Sequence, residues 1–192
     1  MWFCEILSLN QVVVPDKGFL QGRVLCAGKE KFILKFEEIK GGIMISKILV
    51  PTDGSKTAQK AARYGVDLAK QLKASVIVLS VIDQRSFIGQ TVSAAQTARH
   101  VIEPIVDYLQ EAAEGYAGEI KKLCDKNGVQ SKTMIAKGHP VEQIVKEAKK
   151  SKVDLIVMGS HGRSALAAAV LGSVAYGVIH KDTKIPVLVT NK

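Results

Sequence analysis

The residues with the most chemistry to offer lie in one stretch near the C-terminus. Gly159-Ser160-His161-Gly162-Arg163-Ser164-Ala165 forms a glycine-bearing loop, and nine residues separate Gly162 from Gly172-Ser173, where a helical pattern opens. Each part suits an anion. Glycines allow positive φ and close backbone approach, so successive N–H groups can turn toward one oxygen cluster. The N–H groups and positive dipole end of a helix around Ser173 favour a phosphate. The Ser173 hydroxyl can donate to that phosphate or cap the helix, and His161 and Arg163 can add positive charge. The stretch is not a Walker A loop, because no Lys follows the second glycine group, and it is not GxGxxG. Two glycines three apart would be a weak signal alone. The full spacing behind a strand is much more specific.

Other catalytic patterns do not stand out. There is no Ser-His-Asp spacing, no pair of carboxylates and no general base beside an obvious water site, so a dedicated hydrolase is not expected. His161 reads as an exposed, pocket-lining residue rather than a catalytic one. His139, before Pro140, reads as a turn residue. Cys4, Cys26 and Cys124 have neither pairing logic nor metal-ligand spacing, and Cys124 reads as a small apolar filler.

These residues need elements to position them. Ile45, Ile48, Leu49 and Val50 read as a buried strand ended by Pro51. The polar turn Pro51-Thr52-Asp53-Gly54-Ser55 follows, with Ser55 as the N-cap of a helix. Asp53 can cap that helix or contact a ligand. The helix carries a narrow face of small residues, Ala58, Ala61, Ala62, Gly65, Ala69 and Leu72, which lets it approach a sheet closely. Val76–Ile82 is a second strand. A long helix is expected over about Thr97–Lys126, with Ile102, Ile105, Val106, Leu109, Ala112, Ala113, Tyr116, Ile120 and Leu123 on its apolar positions, Pro104 opening or kinking it, and Gly128 at its C-terminal cap. Gln130–Ala136 is a third strand, Pro140 opens a third helix, and Asp154–Met158 is a fourth strand. A helix over Gly172–His180 and a strand over Ile185–Val189 complete the pattern. The alternation implies an α/β fold, an open five-stranded parallel sheet with helices on both faces. Ligands of such Rossmann-like sheets bind outside the carboxyl ends of the strands, where the strand order switches. The turns Pro51–Ser55, Val81–Asp83, Lys137–His139 and Gly159 onward are therefore where function is expected.

Gly159-x2-Gly162-x9-Gly172-Ser173 resembles the nucleotide-binding signature of the universal stress protein family. Ile48–Ser55, Val157–Gly162 and Pro186–Val189 are similar to the family's opening strand and turn, fourth-strand loop and closing strand, and the resemblance covers 44–192. It implies the adenine nucleotide alpha hydrolase-like form of the fold and binding of ATP or AMP, with Mg²⁺ or Mn²⁺. It also implies a homodimer paired through the last strand. By the resemblance, Pro51, Thr52 and Asp53 line the adenosine end, with Asp53 near the ribose or a phosphate-bound metal, and Val81 contacts adenine. Gly159, Ser160, His161, Gly162, Arg163, Ser164 and Ala165, with Gly172, Ser173, Val174 and Ala175, hold the ribose and phosphates. Gly138 closes the pocket. The expected function is a nucleotide-dependent regulatory module in stress response, acting with a signalling partner and with at most weak or partner-dependent ATPase activity. The alternatives are a slow ATP hydrolase of related fold and a nucleotide-independent dimeric scaffold.

Composition divides the 192 residues in two. Residues 1–43 hold five of the ten aromatic residues and carry 6 basic and 5 acidic side chains; residues 44–192 carry 21 basic and 13 acidic. Most of the formal charge of +9 thus belongs to the second part. Many of its lysines, such as Lys121, Lys122, Lys126, Lys149 and Lys150, fall late in helices, where cations complement the dipole. With aromatics scarce there, a nucleic-acid partner is not expected. No apolar run approaches the ~20 residues of a membrane span. The N-terminus has no basic n-region, and the odd cysteine count suits a reducing compartment, so a cytoplasmic location is expected. Residues 1–43 read either as a β-hairpin appendage, with Phe32–Phe36 as a strand, or as the product of a mis-assigned start. In the second case Met44 is the native start, because Lys40-Gly41-Gly42 back-translates to a sequence that can contain a ribosome-binding site.

Overall fold

Strands with apolar side chains on both faces need cover on both sides, and this requirement shapes the domain. The computed structural model describes residues 11–13, 23–27, 30–35, 45–83, 99–163, 171–181 and 184–190. In chain order the elements are β1 (Gln11–Val13), β2 (Arg23–Ala27), β3 (Glu30–Lys35), β4 (Lys47–Thr52), α1 (Lys56–Leu72), β5 (Ser75–Ile82), α2 (Arg99–Lys126), β6 (Ser131–Lys137), α3 (Pro140–Lys150), β7 (Leu155–Gly159), α4 (Ser173–His180) and β8 (Val187–Thr190). They form one sheet of order β1-β2-β3-β8-β7-β4-β5-β6. The five strands from β8 to β6 are mutually parallel. The sequence-predicted five-stranded parallel sheet is therefore present. Strands β1 to β3 add an antiparallel meander on its edge, with Phe32–Lys35 of β3 pairing Thr190–Val187 of β8.

Alternate residues of each central strand go to opposite cores. Ile48, Val50, Val76, Val78, Leu155 and Val157 face α1 and α2. Leu49, Ile77, Leu79, Ile156, Met158, Val187 and Val189 face α3 and α4. Ser55 caps α1 as expected, its Oγ accepting the Ala58 N–H at 3.2 Å. The small-residue face of α1 meets the sheet so closely that a Cβ at Gly65 would lie 2.9 Å from Val50 Cγ2. The long helix α2 runs through Pro104. Ala113, Ala117, Ile120 and Cys124 are its buried positions, whereas Ile105 is exposed. Burial pushes the Cys124 thiol pKa up, in keeping with a filler role.

One expected boundary is displaced, and the displacement matters. Pro51 was expected to end the first strand, but β4 continues through it to Thr52, paired with β5 up to Thr52–Ser80. On its other side β4 pairs with β7 only at Ile48–Leu155 and Leu49–Ile156. The ladder between these two strands ends there, so a residue without an N–H is tolerated at position 51. This is where the strand order switches, with β5 and β6 on one side of β4 and β7 and β8 on the other.

Candidate functional site

A cavity of about 450 Å³ opens at the carboxyl ends of β4 and β7, where their ladder pairing has ended. Its volume is in the range of small-molecule sites. From β4 and its turn come Pro51, Thr52 and Asp53; from β5, Leu79 and Val81; from the loop after β7, Gly159 to Arg163; and from the start of α4, Gly172 to Ala175. Three of the four strand ends selected from sequence thus converge on one space, the Lys137–His139 turn being the exception. Ser164 and Ala165 lie outside the described residues. Gly138 is not on the wall. It holds a positive φ of 131° in the β6–α3 turn, where a Cβ would meet Gln143 Nε2 at 2.9 Å. Its neighbours Pro140 and Ile144 line the cavity instead.

The loop after β7 is fixed by protein groups that leave its anion-binding features uncovered. Asp53 Oδ1 accepts the Ser55 N–H at 3.0 Å, and its Oδ2 accepts the Arg163 N–H at 3.0 Å. Asp53 therefore ties the β4–α1 turn to the glycine loop, and the helix cap is left to Ser55. Thr57, in the first turn of α1, donates its hydroxyl to the His161 carbonyl oxygen. The Ser160 N–H bonds the Thr190 carbonyl at 2.8 Å, and the Gly172 N–H bonds the Ser160 carbonyl at 2.7 Å, which closes the loop onto the start of α4. His161 was expected to be exposed. It is only 9% exposed, and its Nδ1 lies 2.9 Å from Ser160 Oγ.

The glycines act by close approach rather than by positive φ. Among the described glycines only Gly54, Gly128 and Gly138 have φ above zero. A Cβ at Gly159 would lie 2.8 Å from the Thr57 carbonyl carbon, one at Gly162 2.7 Å from Asp53 Oδ2, and one at Gly172 3.1 Å from the Ser160 carbonyl oxygen. At the start of α4, Gly172 is the N-cap and makes no side-chain capping bond. Ser173 thus does not cap the helix. Gly172 to Ala175, the first turn at the positive end of α4, line the cavity, and among the described residues no side chain caps that turn.

Sequence reading missed the apolar side of the cavity. Ala58, Leu79, Pro140, Ile144, Met158 and Leu171 also line it. Strand periodicity carried part of this signal, since Leu79 and Val81 are two apart on β5 and point the same way. Ile144 and Leu171 gave no such signal. The cavity therefore has an apolar wall and, beside the β4 turn, a rim of backbone donors with one arginine. Asp53 is the carboxylate on its wall. Among the described residues no group of three His, Cys, Asp or Glu side chains could hold a metal ion by itself.

Comparison with known proteins gives the same outline. The universal stress protein family profile matches residues 44–191. Universal stress protein MJ0531 of Methanocaldococcus jannaschii is 36% identical over 152 residues, covering 79% of this chain and 85% of the relative. MJ0577 of the same organism is 38% identical over 159 residues, covering 78% of this chain and 97% of the relative. The solved MJ0577 structure superposes with a TM-score of 0.60 over 78% of this chain and 98% of its own. The fold is shared with a universal stress protein from Archaeoglobus fulgidus solved in complex with dAMP, at 20% identity and a TM-score of 0.55, over 78% of this chain and 99% of that one. The chain, over residues 44–191, belongs to the universal stress protein family.

Proposed function

We propose that the cavity binds an adenine nucleotide, ATP or AMP, and that its occupancy serves as a regulatory signal in a cytoplasmic stress response. The observation that carries this reading is the pairing of two unlike surfaces in one cavity. Leu79, Val81, Ile144 and Met158 supply an apolar wall suited to a flat base. The uncapped start of α4 and the loop from Gly159 to Arg163 supply backbone donors and a cation suited to phosphates. Asp53, Pro51 and Thr52 lie between them at the end of β4, where a ribose would sit. Mg²⁺ or Mn²⁺ would be held chiefly by the phosphates, with Asp53 as the nearby carboxylate.

Asp53 also bears on turnover. Each of its oxygens already accepts a backbone N–H, so service as a general base would weaken the bonds that hold the loop. Hydrolysis in this reading is slow or dependent on a signalling partner. Equilibrium binding of a labelled ATP analogue, with mass spectrometry of any nucleotide that co-purifies, is the test. Absence of saturable binding by the wild-type chain would refute the reading. Turnover above a few per minute that Asp53→Ala abolishes would replace it with a hydrolase.

The reading includes a homodimer through β8. The edge of β8 away from β7 carries β3 in this chain. A second copy pairing along that edge would displace β3, unless the native chain begins at Met44 and lacks it.

A further inference from the structure

We propose that Tyr116 of α2 is a positioning residue for the Arg163 guanidinium, and that through it α2 sets how strongly the cavity prefers phosphorylated over unphosphorylated ligands. The proposal rests on the nucleotide-binding reading above. Tyr116 does not line the cavity itself. Its hydroxyl oxygen accepts a hydrogen bond from the Arg163 Nη1 donor at 2.8 Å, and the guanidinium carbon lies 5.5 Å from the centre of its ring. The backbone N–H of Arg163 is held separately by Asp53 Oδ2 at 3.0 Å. The side chain is thus anchored at both ends, by a carboxylate at the backbone and by a phenol at the tip.

The chemistry of that phenol is what suits the arrangement to an anion. An arginine needs a partner to be ordered, and the common partner is a carboxylate, which would cancel its charge. A phenol hydroxyl orders the guanidinium while remaining neutral, and the ring face adds a cation–π contact. Among the described residues the phenol takes one of the five N–H donors, and the rest of the planar fork can meet a phosphate. An arginine ordered before binding loses less freedom on binding.

Tyr116 is itself well seated. Its ring covers Gly54, where an added Cβ would lie 2.5 Å from Cδ1 and Cε1. Gly54 has a φ of 77° and donates its N–H to Thr52 Oγ1 at 3.2 Å, so the turn beneath the ring is tight and lacks a side chain. One aromatic ring therefore spans the β4–α1 turn and the glycine loop, the two segments that meet at the proposed ribose and phosphate positions.

The test is binding of ATP, AMP and adenosine to the full chain as wild type, Tyr116→Phe, Arg163→Ala and the double variant. Tyr116→Phe keeps the ring over Gly54 and removes only the hydroxyl. The expected result is a loss of about 3- to 10-fold in ATP affinity with adenosine unchanged, the scale of one hydrogen bond. The double variant should bind ATP no more weakly than Arg163→Ala alone. Arg163→Lys, which keeps the charge but loses the fork that meets both phenol and phosphate, should lose at least as much ATP affinity as Tyr116→Phe with adenosine unchanged, and ATP binding at the wild-type level in that variant would overturn the proposal even if Tyr116→Phe fails to fold. Equal loss of ATP and adenosine, unchanged or tighter ATP binding, or additive losses in the double variant would overturn the proposal. A wild-type chain that binds none of the three ligands would instead overturn the nucleotide reading itself.

Discussion

Replacing Gly162 by alanine isolates the contact that fastens the glycine loop to the β4 turn. The new Cβ would sit 2.7 Å from Asp53 Oδ2, well inside contact distance. That oxygen accepts the Arg163 N–H, while the other accepts the Ser55 N–H. The carboxylate cannot retreat without giving up at least one of these bonds. A hydrogen bond to a charged acceptor is worth about 1.5–3 kcal/mol. The Arg163 bond is solvent-exposed, so a loss near the lower end, about 1.5 kcal/mol, is expected in urea denaturation. In the proposed function the nucleotide binds the closed loop, so disfavouring that conformer by the same amount should raise Kd by up to about tenfold. The control is Asp53→Ala. With the carboxylate gone, the methyl group has nothing to strike, so the double variant should be no worse than Asp53→Ala alone in either assay. Simply additive losses would refute the contact as the cause. So would a Gly162→Ala chain that melts and binds as wild type does.

Gly159→Ala should behave differently, because its Cβ would meet the backbone of α1 at Thr57 rather than a side chain; urea denaturation should show an overpacking loss of about 1–3 kcal/mol. Asp154 Oδ2 accepts the N–H groups of Ser46 and Lys47 and the Ser46 hydroxyl, all within 2.9 Å, at the end of the sheet away from the cavity. Asp154→Ala should therefore lower stability, by about 1.5–3 kcal/mol, and leave nucleotide Kd unchanged in the binding assay. Cys124 is fully buried, with its thiol pKa raised by burial, so it stays protonated through neutral pH. Peptide-level mass spectrometry should find it unmodified by iodoacetamide in the folded chain and modified once urea unfolds it. Ile33 of β3 pairs with Val189 of β8. Ile33→Pro in the full chain should weaken that pairing and, if the proposed dimer uses the β8 edge, shift the mass measured by light scattering toward two chains.

The parallel sheet was legible because two-sided burial writes a plain signal. Val76–Ile82 and Leu155–Met158 are short apolar runs between polar turns, and nearly every residue in them is buried. Ser55 and Pro140 marked helix starts by chemistry that acts within one turn, so sequence alone placed them well. What depended on neighbours distant in the chain was harder to read. Pro51 looks like a strand terminator until its pairing with Leu79 of β5 is seen. The burial of His161 goes with a loop held by Thr57 and Asp53 across separations of 104 and 110 residues in the chain. Tyr116 reads as one more apolar position of α2, because its hydroxyl finds Arg163 across a separation of 47 residues.

The glycine spacing acquires a physical meaning once these contacts are known. Each of the three motif glycines is crowded by a different partner: the α1 backbone for Gly159, the Asp53 carboxylate for Gly162, and the Ser160 carbonyl for Gly172. None of the three has positive φ. The spacing is thus a record of three close approaches that bring one loop down onto α1, onto the β4 turn and onto the start of α4 together. Those approaches engage the loop carbonyls of Ser160 and His161 and the Arg163 N–H with protein partners. Among the described residues no side chain caps the first turn of α4. An arrangement that satisfies a loop from behind and leaves a helix start open in front is one in which an anionic ligand completes the hydrogen bonding of a site that is already formed.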